Sequence, residues 1–364
     1  MKIKEVLEAI ETEAPSGLQE SYDNAGLVVG NPEERLTGVL LTLDVGENTI
    51  QEAVQKNCNL IVSHHPVIFK GIKRIDENQP EDRILIQAIR NGIALYAAHT
   101  NLDNAPRGVN YQLAKQMGLQ NIKPLQPLSE CIGKLVTFVP QDHEQEVRQA
   151  LFDAGAGCIG NYDSCSFTSQ GEGSFRGNEH TNPYRGKKEV LHREPEVKIE
   201  VVYPIYAEQS ILTRLYEVHP YEEPATDLYM LRNKHLTAGS GAIGELPAQE
   251  PMTAFLERIK KQWKLNVIRH SPIHKEHVQK VAVCGGAGSF LIPEAQRQNA
   301  DLFLTADLKY HDFFTPDHRI TIADIGHFES EYIAIKILND IISHKLCNFA
   351  PHISETTCNP VKYI

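Results

Sequence analysis

No stretch of the sequence approaches the roughly 20 consecutive apolar residues of a membrane span, so a helical membrane protein is not expected. Basic residues are not in excess either: 36 Lys and Arg stand against 47 Asp and Glu, for a net charge of -11 and a pI of 5.8. That balance argues against sequence-independent nucleic-acid binding, which needs cations to meet phosphates, and leaves protein partners open. Seven cysteines include no CxxC pair, which speaks against a disulfide framework or a zinc knuckle and for free thiols in a reducing compartment. No GxSxG elbow supports a serine hydrolase, and "CGGAGS" lacks both the GxGxxG order and a following Lys. The first residues, "MKIKEVLEAIETEAP", lack the apolar run of a signal peptide and space Ile3, Val6, Leu7 and Ile10 as one face of a surface helix. A soluble cytoplasmic protein is expected.

At 364 residues, two domains are the default. "TGVLLTLDVGENTIQEAVQKNCNLIVSHHP" reads as strand, helix, strand, a βαβ unit that implies a parallel sheet. A second unit follows, because Ile84, Leu85 and Ala88 pattern a helix leading to "GIALYAAHTNLD". The far end repeats the layout: "VLLTLDVGENTIQEAVQKNCNLIVSHH" aligns without gaps on "VAVCGGAGSFLIPEAQRQNADLFLTAD", matching Val39 to Val281, Ala53 to Ala295, Asn57 to Asn299 and Leu60 to Leu302. An ancient duplication explains this match, and chance alignment of apolar strands competes with it. Between the halves, strand candidates "KLVTFV", "VKIEVVYP" and "ATDLYML", two helical patches and a polar Gly-rich stretch suggest an inserted α+β domain. The expected organisation is an α/β domain from two similar halves, 1–127 and 246–364, with the insert at 128–245.

Chemistry concentrates where strands are predicted to end. "IVSHHPVIF" places His64 and His65 just past an apolar run, "AAHTNLD" places His99 and Asp103, and "IGHFESE" places His327 and Glu331 one helical turn apart. A lone histidine at a strand end is usually a hydrogen-bonded structural residue, and an i,i+4 His-Glu pair is usually a solvated one. Six such groups at the carboxyl ends of parallel strands change that reading, because open α/β sheets collect ligands there. Imidazoles and carboxylates without thiolate suit zinc, ferrous iron, manganese, cobalt or nickel. Five such donors exceed one open tetrahedral ion and fit two ions sharing a carboxylate, each adjacent histidine facing its own ion.

Other candidates carry less. In "CGGAGS", backbone amides could cradle a phosphate or simply form a tight turn. Asp307, His311 and Asp312 in "TADLKYHDF" read as acid/base residues or as caps, Asp23 and Asn24 in "SYDNAGL" as a turn, and His219 in "VHPYEEPATDLY" as part of a loop.

Together and in order, "YDNAGL", "SHHPVIF", "AAHTNLD", "CGGAGS", "TADLKYHD" and "GHFESE" resemble the family of the NGG-one-interacting factor three, also labelled GTP cyclohydrolase I type 2 homologues or dinuclear-metal-centre proteins. The likeness covers nearly the whole chain, and the insert resembles the PII-like or CutA-like module of longer bacterial members. It implies a three-layer α/β fold, a homohexamer built as a trimer of dimers, and two divalent ions, with zinc, iron and manganese the leading choices. His65 and Asp103 would bind one ion, His64 and His327 the other, and Glu331 would bridge them. Asp23, His99, Asp307 and His311 match motif positions near the site and are the catalytic candidates. "TADLKYHD" carries Ala-Asp where many relatives have Gly-Glu or Gly-Asp, which keeps the carboxylate. A metal-dependent hydrolase acting on a nucleotide or phosphoester is the implied function; a metal-delivering or regulatory scaffold is the alternative.

Overall fold

The computed structural model describes residues 1–364 apart from Pro316, His318, Asn348, Thr357 and Cys358. The chain divides into two compact units, Met1–Pro127 with Thr237–Ile364, and Leu128–Leu236.

The discontinuous unit is α/β and holds two sheets. The first orders its strands Gly26–Val29, Ala94–Ala97, Leu60–Ser63, Val39–Thr42 and His352–Ile353. The second orders Arg269–His270, Thr321–Asp324, Leu302–Ala306, His277–Ala287, Gly239–Pro251 and Gln120–Pro127. In each sheet three strands adjacent in sequence lie parallel, and a short strand that precedes them pairs antiparallel with the third. The aligned Asn57 and Asn299 share a left-handed backbone, with φ of 53° and 55°, at the turn from helix into strand. Asparagine tolerates that conformation better than most side chains.

The parallel strands are short apolar runs because both faces are covered. Leu40, Ile61 and Leu95 pack under Ile50 and Ala53 of helix Glu47–Gln55 and Leu85 and Ala88 of helix Pro80–Arg90. In the second sheet Ala282, Phe303 and Ile322 pack with Leu291, Ile292 and Ala295. The first helix, Ile3–Glu13, buries Ile3, Val6, Leu7, Ala9 and Ile10, the face its spacing predicts.

The Leu128–Leu236 unit is α+β. Strands Ile132–Pro140, Ser166–Phe175, His192–Pro204 and Thr226–Leu231 alternate with helices Glu144–Asp153 and Glu208–Val218 in the order βαββαβ. All pairings are antiparallel and the spatial order is 2-3-1-4, a ferredoxin-like topology. Leu135, Val139, Val197, Ile199 and Val201 face Val147, Leu151, Ile211 and Leu215 of the helices.

Two differences from the sequence pattern have physical causes. Strand Ser166–Phe175 lies inside the stretch that reads as polar and Gly-rich; it is an edge strand with mostly exposed side chains, so no apolar alternation marks it. Strand Gly239–Pro251 already pairs with His277–Ala287 and Gln120–Pro127, ahead of residue 246, and its glycines hide it from a propensity reading. No helix among the described residues is long and apolar enough to cross a membrane. Six described cysteines are free thiols, and Cys358 lies outside the described residues.

Candidate metal centre

His64 and His65 follow strand Leu60–Ser63, whose extension continues as His64 N–H donates to Thr42 O at 3.2 Å and His65 N–H to Leu43 O at 3.0 Å. Extended neighbours diverge, and the two rings stand with centroids 5.1 Å apart and planes 44° from parallel. Asp103 comes from helix Thr100–Asn104, directly after strand Ala94–Ala97. His327 and Glu331 begin and end helix His327–Glu331, which starts after strand Thr321–Asp324 through Gly326 at φ 84°.

Each imidazole turns Nδ1 to an oxygen: His64 to Ala98 O, His65 to Asp44 and His327 to Asp307, all at 2.7 Å. Those acceptors favour a proton on Nδ1 and turn Nε2 inward, as the atom that would offer its lone pair to a metal. The three Nε2 atoms converge on Glu331. Its Oε2 lies 2.8 Å from His65 Nε2 and 2.8 Å from His327 Nε2, and its Oε1 lies 3.9 Å from His64 Nε2. His65 and His327 Nε2 are 3.3 Å apart, and His64 Nε2 stands 3.6 Å from Asp103 Oδ1. His64 Nε2 and Asp103 Oδ1 are both buried and make no hydrogen bond, a costly state for polar atoms that have no further partner. His64, His65 and Glu331 bring donor atoms within 4.8 Å of one another, a spacing that can hold a metal ion.

Apart from those to Glu331, the shortest distances between these candidate donors run from His64 to Asp103 and from His65 to His327, with one Glu331 oxygen towards each pair. His64 goes with Asp103 and Glu331 Oε1, and His65 with His327 and Glu331 Oε2.

Electrostatics agree with a cation in the middle. Burial pushes Asp103 up to about 7, with Glu331 adding to the rise. Burial would lower His65, but its bonds to Asp44 and Glu331 outweigh it and raise the imidazole to about 10. Burial opposes His327 likewise, and Glu331 with Asp307 lifts it to about 9. Glu331 is buried, yet the surrounding imidazoles hold it well below the usual carboxylate range. Without a metal, protons fill the place of the positive charge.

Two supports were not legible as site residues. Asp44 stands just past strand Val39–Thr42, as the other candidate donors stand past their strands, and holds His65. Gly286, in "CGGAGS", has φ +60° inside strand His277–Ala287, and a Cβ there would collide with Glu331 Oε1. The glycine therefore gives room to a carboxylate of the chain itself. Asn110 ties the neighbourhood together, donating to Asp103 O at 3.1 Å and accepting from Gly285 N–H at 2.9 Å.

Of the catalytic candidates, His99 and Asp23 meet beside the centre. His99 Nδ1 bonds Asp23 at 2.7 Å, and Thr100 Oγ1 donates to the other carboxylate oxygen at 2.5 Å. The His99 ring lies 5.4 Å from that of His64 and 5.5 Å from that of His65, centroid to centroid. Asp307 acts on His327. His311 is not drawn in: it is exposed on segment Tyr310–Phe314, its ring beside Tyr310 and Phe314, and it lines neither cavity at the centre. His219 is a buried loop residue that bonds Phe138 O and accepts from Tyr221 N–H.

One cavity at the centre, of about 550 Å³, has His65, His99, Asp103, His327 and Glu331 on its floor and Tyr22, Phe69 and Phe290 among its walls. A second, of about 450 Å³, reaches His65 and His327 from the side of Arg269 and Tyr363.

Fold and site define an α/β protein with a candidate His/carboxylate metal centre at the carboxyl ends of parallel strands. The family described as Duf34/NIF3 (NGG1p interacting factor 3) matches residues 1–360, and the chain belongs to that family. A Staphylococcus epidermidis protein named GTP cyclohydrolase 1 type 2 homolog is 35% identical over 368 residues, covering 100% of both chains. A Bacillus subtilis protein of the same name is 35% identical over 371 residues, covering 99% and 98%. The crystal structure of a Bacillus cereus protein related to NIF3 superposes with a TM-score of 0.85 at 36% identity, covering 100% of this chain and 99% of that one.

Proposed function

We propose that the centre holds two divalent metal ions and that the protein is a metal-dependent hydrolase of nucleotides or phosphoesters. One ion would be held by His64 and Asp103, the other by His65 and His327, with Glu331 shared. The carrying observation is the buried His64 Nε2 and Asp103 Oδ1, 3.6 Å apart and without hydrogen bonds, beside a carboxylate that serves two further imidazoles. Imidazole and carboxylate donors suit zinc, iron or manganese.

Such ions supply Lewis-acid polarisation of the bond under attack and activation of water near neutral pH. The chain's own residues supply the rest. Asp23 holds the His99 tautomer, which leaves His99 Nε2 to take or give a proton at the cavity. Tyr22, Phe69 and Phe290 offer flat apolar walls for a base or ring. No Lys or Arg is among the described residues lining this cavity, so a substrate with one phosphate suits it better than a nucleoside triphosphate.

The same reading places the protein in the cytoplasm, where its free cysteines stay reduced, and in a homohexamer with a PII-like insert. Exposed Leu228, Tyr229 and Met230 on edge strand Thr226–Leu231 support assembly, because apolar edge strands are normally covered. The test loads the purified protein with zinc, iron or manganese and screens GTP and a phosphoester panel beside His64→Ala and Glu331→Ala. Turnover lost in both variants is expected. Turnover undiminished in both overturns the hydrolase reading, and full metal occupancy without turnover turns it to metal holding or delivery.

A further inference from the structure

The ferredoxin-like unit has a cavity of its own, on the sheet face away from its helices. Its helices cover one face of the sheet, and alternation along strand His192–Pro204 sends Glu194, Glu196 and Lys198 to the other. On that face Glu196 pairs in register with Gly171, and Lys198 with Ser169 and Phe138. Gly171 has open space where a side chain would project, and a Cβ at Gly173 would strike the Glu196 carboxylate. The two glycines thus help to open a cavity of about 620 Å³ over Glu196.

Phe138, Phe175, Tyr184 and Tyr221 wall this cavity. Phe175 and Tyr221 have centroids 5.8 Å apart, and Tyr184 and Tyr221 6.4 Å, so three rings form a continuous screen. Glu196 is 8% exposed and accepts one hydrogen bond, from Tyr221 Oη at 2.8 Å, with no ion pair among the described residues. Its neighbour two residues earlier differs. Glu194 is as buried but is answered by Arg185 and by His192 at 2.9 Å. Lys198, which also lines the cavity, is engaged by Glu200 at 3.0 Å, and Glu222 and Glu223 add negative charge.

A buried carboxylate with no counter-charge is expensive, and a ring-walled space attracts a cation through the faces of its aromatics. We propose that this cavity binds a small organic cation, whose ammonium group is seated on Glu196 between Phe175, Tyr184 and Tyr221. A divalent metal fits less well: among the described residues no three His, Cys, Asp or Glu donors converge at this cavity.

The test titrates the full-length protein with tetramethylammonium and choline by calorimetry, against the uncharged carbon isostere of choline, in which tert-butyl replaces trimethylammonium. Choline is expected to bind at least about tenfold more tightly than the isostere, and Glu196→Gln to weaken it by about tenfold or more. Tyr184→Leu, at a 48% exposed side chain, should weaken choline with the melting temperature unchanged. The far-UV circular dichroism spectrum of each variant serves as the folding control and should not change. Equal binding of choline and isostere, no binding of either cation at millimolar concentration, or full binding to folded Glu196→Gln overturns the proposal.

Discussion

His64 Nε2 and Asp103 Oδ1 face each other at 3.6 Å, each buried and each without a hydrogen bond. Leaving such atoms unsatisfied costs about 1–3 kcal/mol apiece, so the fold should be tightest when a metal answers both. At a metal concentration a hundredfold above Kd, stabilisation of about 2.7 kcal/mol per site is expected. Differential scanning calorimetry with zinc and with a chelator checks this. The gain should shrink in His64→Ala, and an identical melting temperature with and without metal would contradict it.

Proton competition sets the pH dependence. His65, raised to about 10, and His327, raised to about 9, carry protons at neutral pH in the metal-free protein. A raised histidine contributes stability that is fully present below its unfolded value near 6.5 and is lost as pH rises through its folded value. The metal-free protein should therefore lose this stability between about pH 6.5 and 10. Metal must displace the same protons, so affinity should instead rise, by about tenfold or more per pH unit between pH 7 and 9. Competition titrations against a metal indicator, together with melts of the metal-free protein, read both slopes.

Asp44 and Asp307 orient His65 and His327 through Nδ1 at 2.7 Å without pointing at Glu331 themselves. Asp44→Asn and Asp307→Asn should each lower metal affinity about 10- to 100-fold while the circular dichroism spectrum holds. Unchanged affinity in both would mean that the tautomers need no such support.

Gly286→Ala places a Cβ against Glu331 Oε1 at a φ of +60°. A loss of about 1–3 kcal/mol in stability is expected from the strained backbone, together with reduced metal content from the displaced carboxylate. Urea unfolding and elemental analysis of one preparation measure both.

His99 should separate chemistry from metal retention. His99→Asn is expected to keep the metal and lose about 100-fold or more in kcat on any substrate the wild type turns over, since it removes a proton carrier. Steady-state kinetics beside metal analysis distinguishes this from a lost ligand.

Much of this site can be read in the chain because polar residues ending an apolar run stand out. Leu60–Val62 is a continuous buried strand, and His64, His65, His99, Asp103 and His327 mark where strands stop. Asp44 obeys the same rule but stands alone, with no second donor beside it to distinguish it from a turn residue. Which ion each histidine would serve is not written in spacing, since it depends on how the ends of strands from two sheets meet around Glu331. Gly286 reads as a turn glycine until the carboxylate that it makes room for is in place. Strand Ser166–Phe175 escapes notice because an exposed edge needs no apolar alternation, and Glu196 because a missing counter-charge is a fact of three dimensions.

The central claim, two ions sorted by the adjacent histidines, is tested most directly by an anomalous difference map of metal-loaded crystals recorded at the metal's absorption edge. Two peaks are predicted, one between His64 and Asp103 and one between His65 and His327, with Glu331 touching both. A single peak, or peaks away from Glu331, would contradict it.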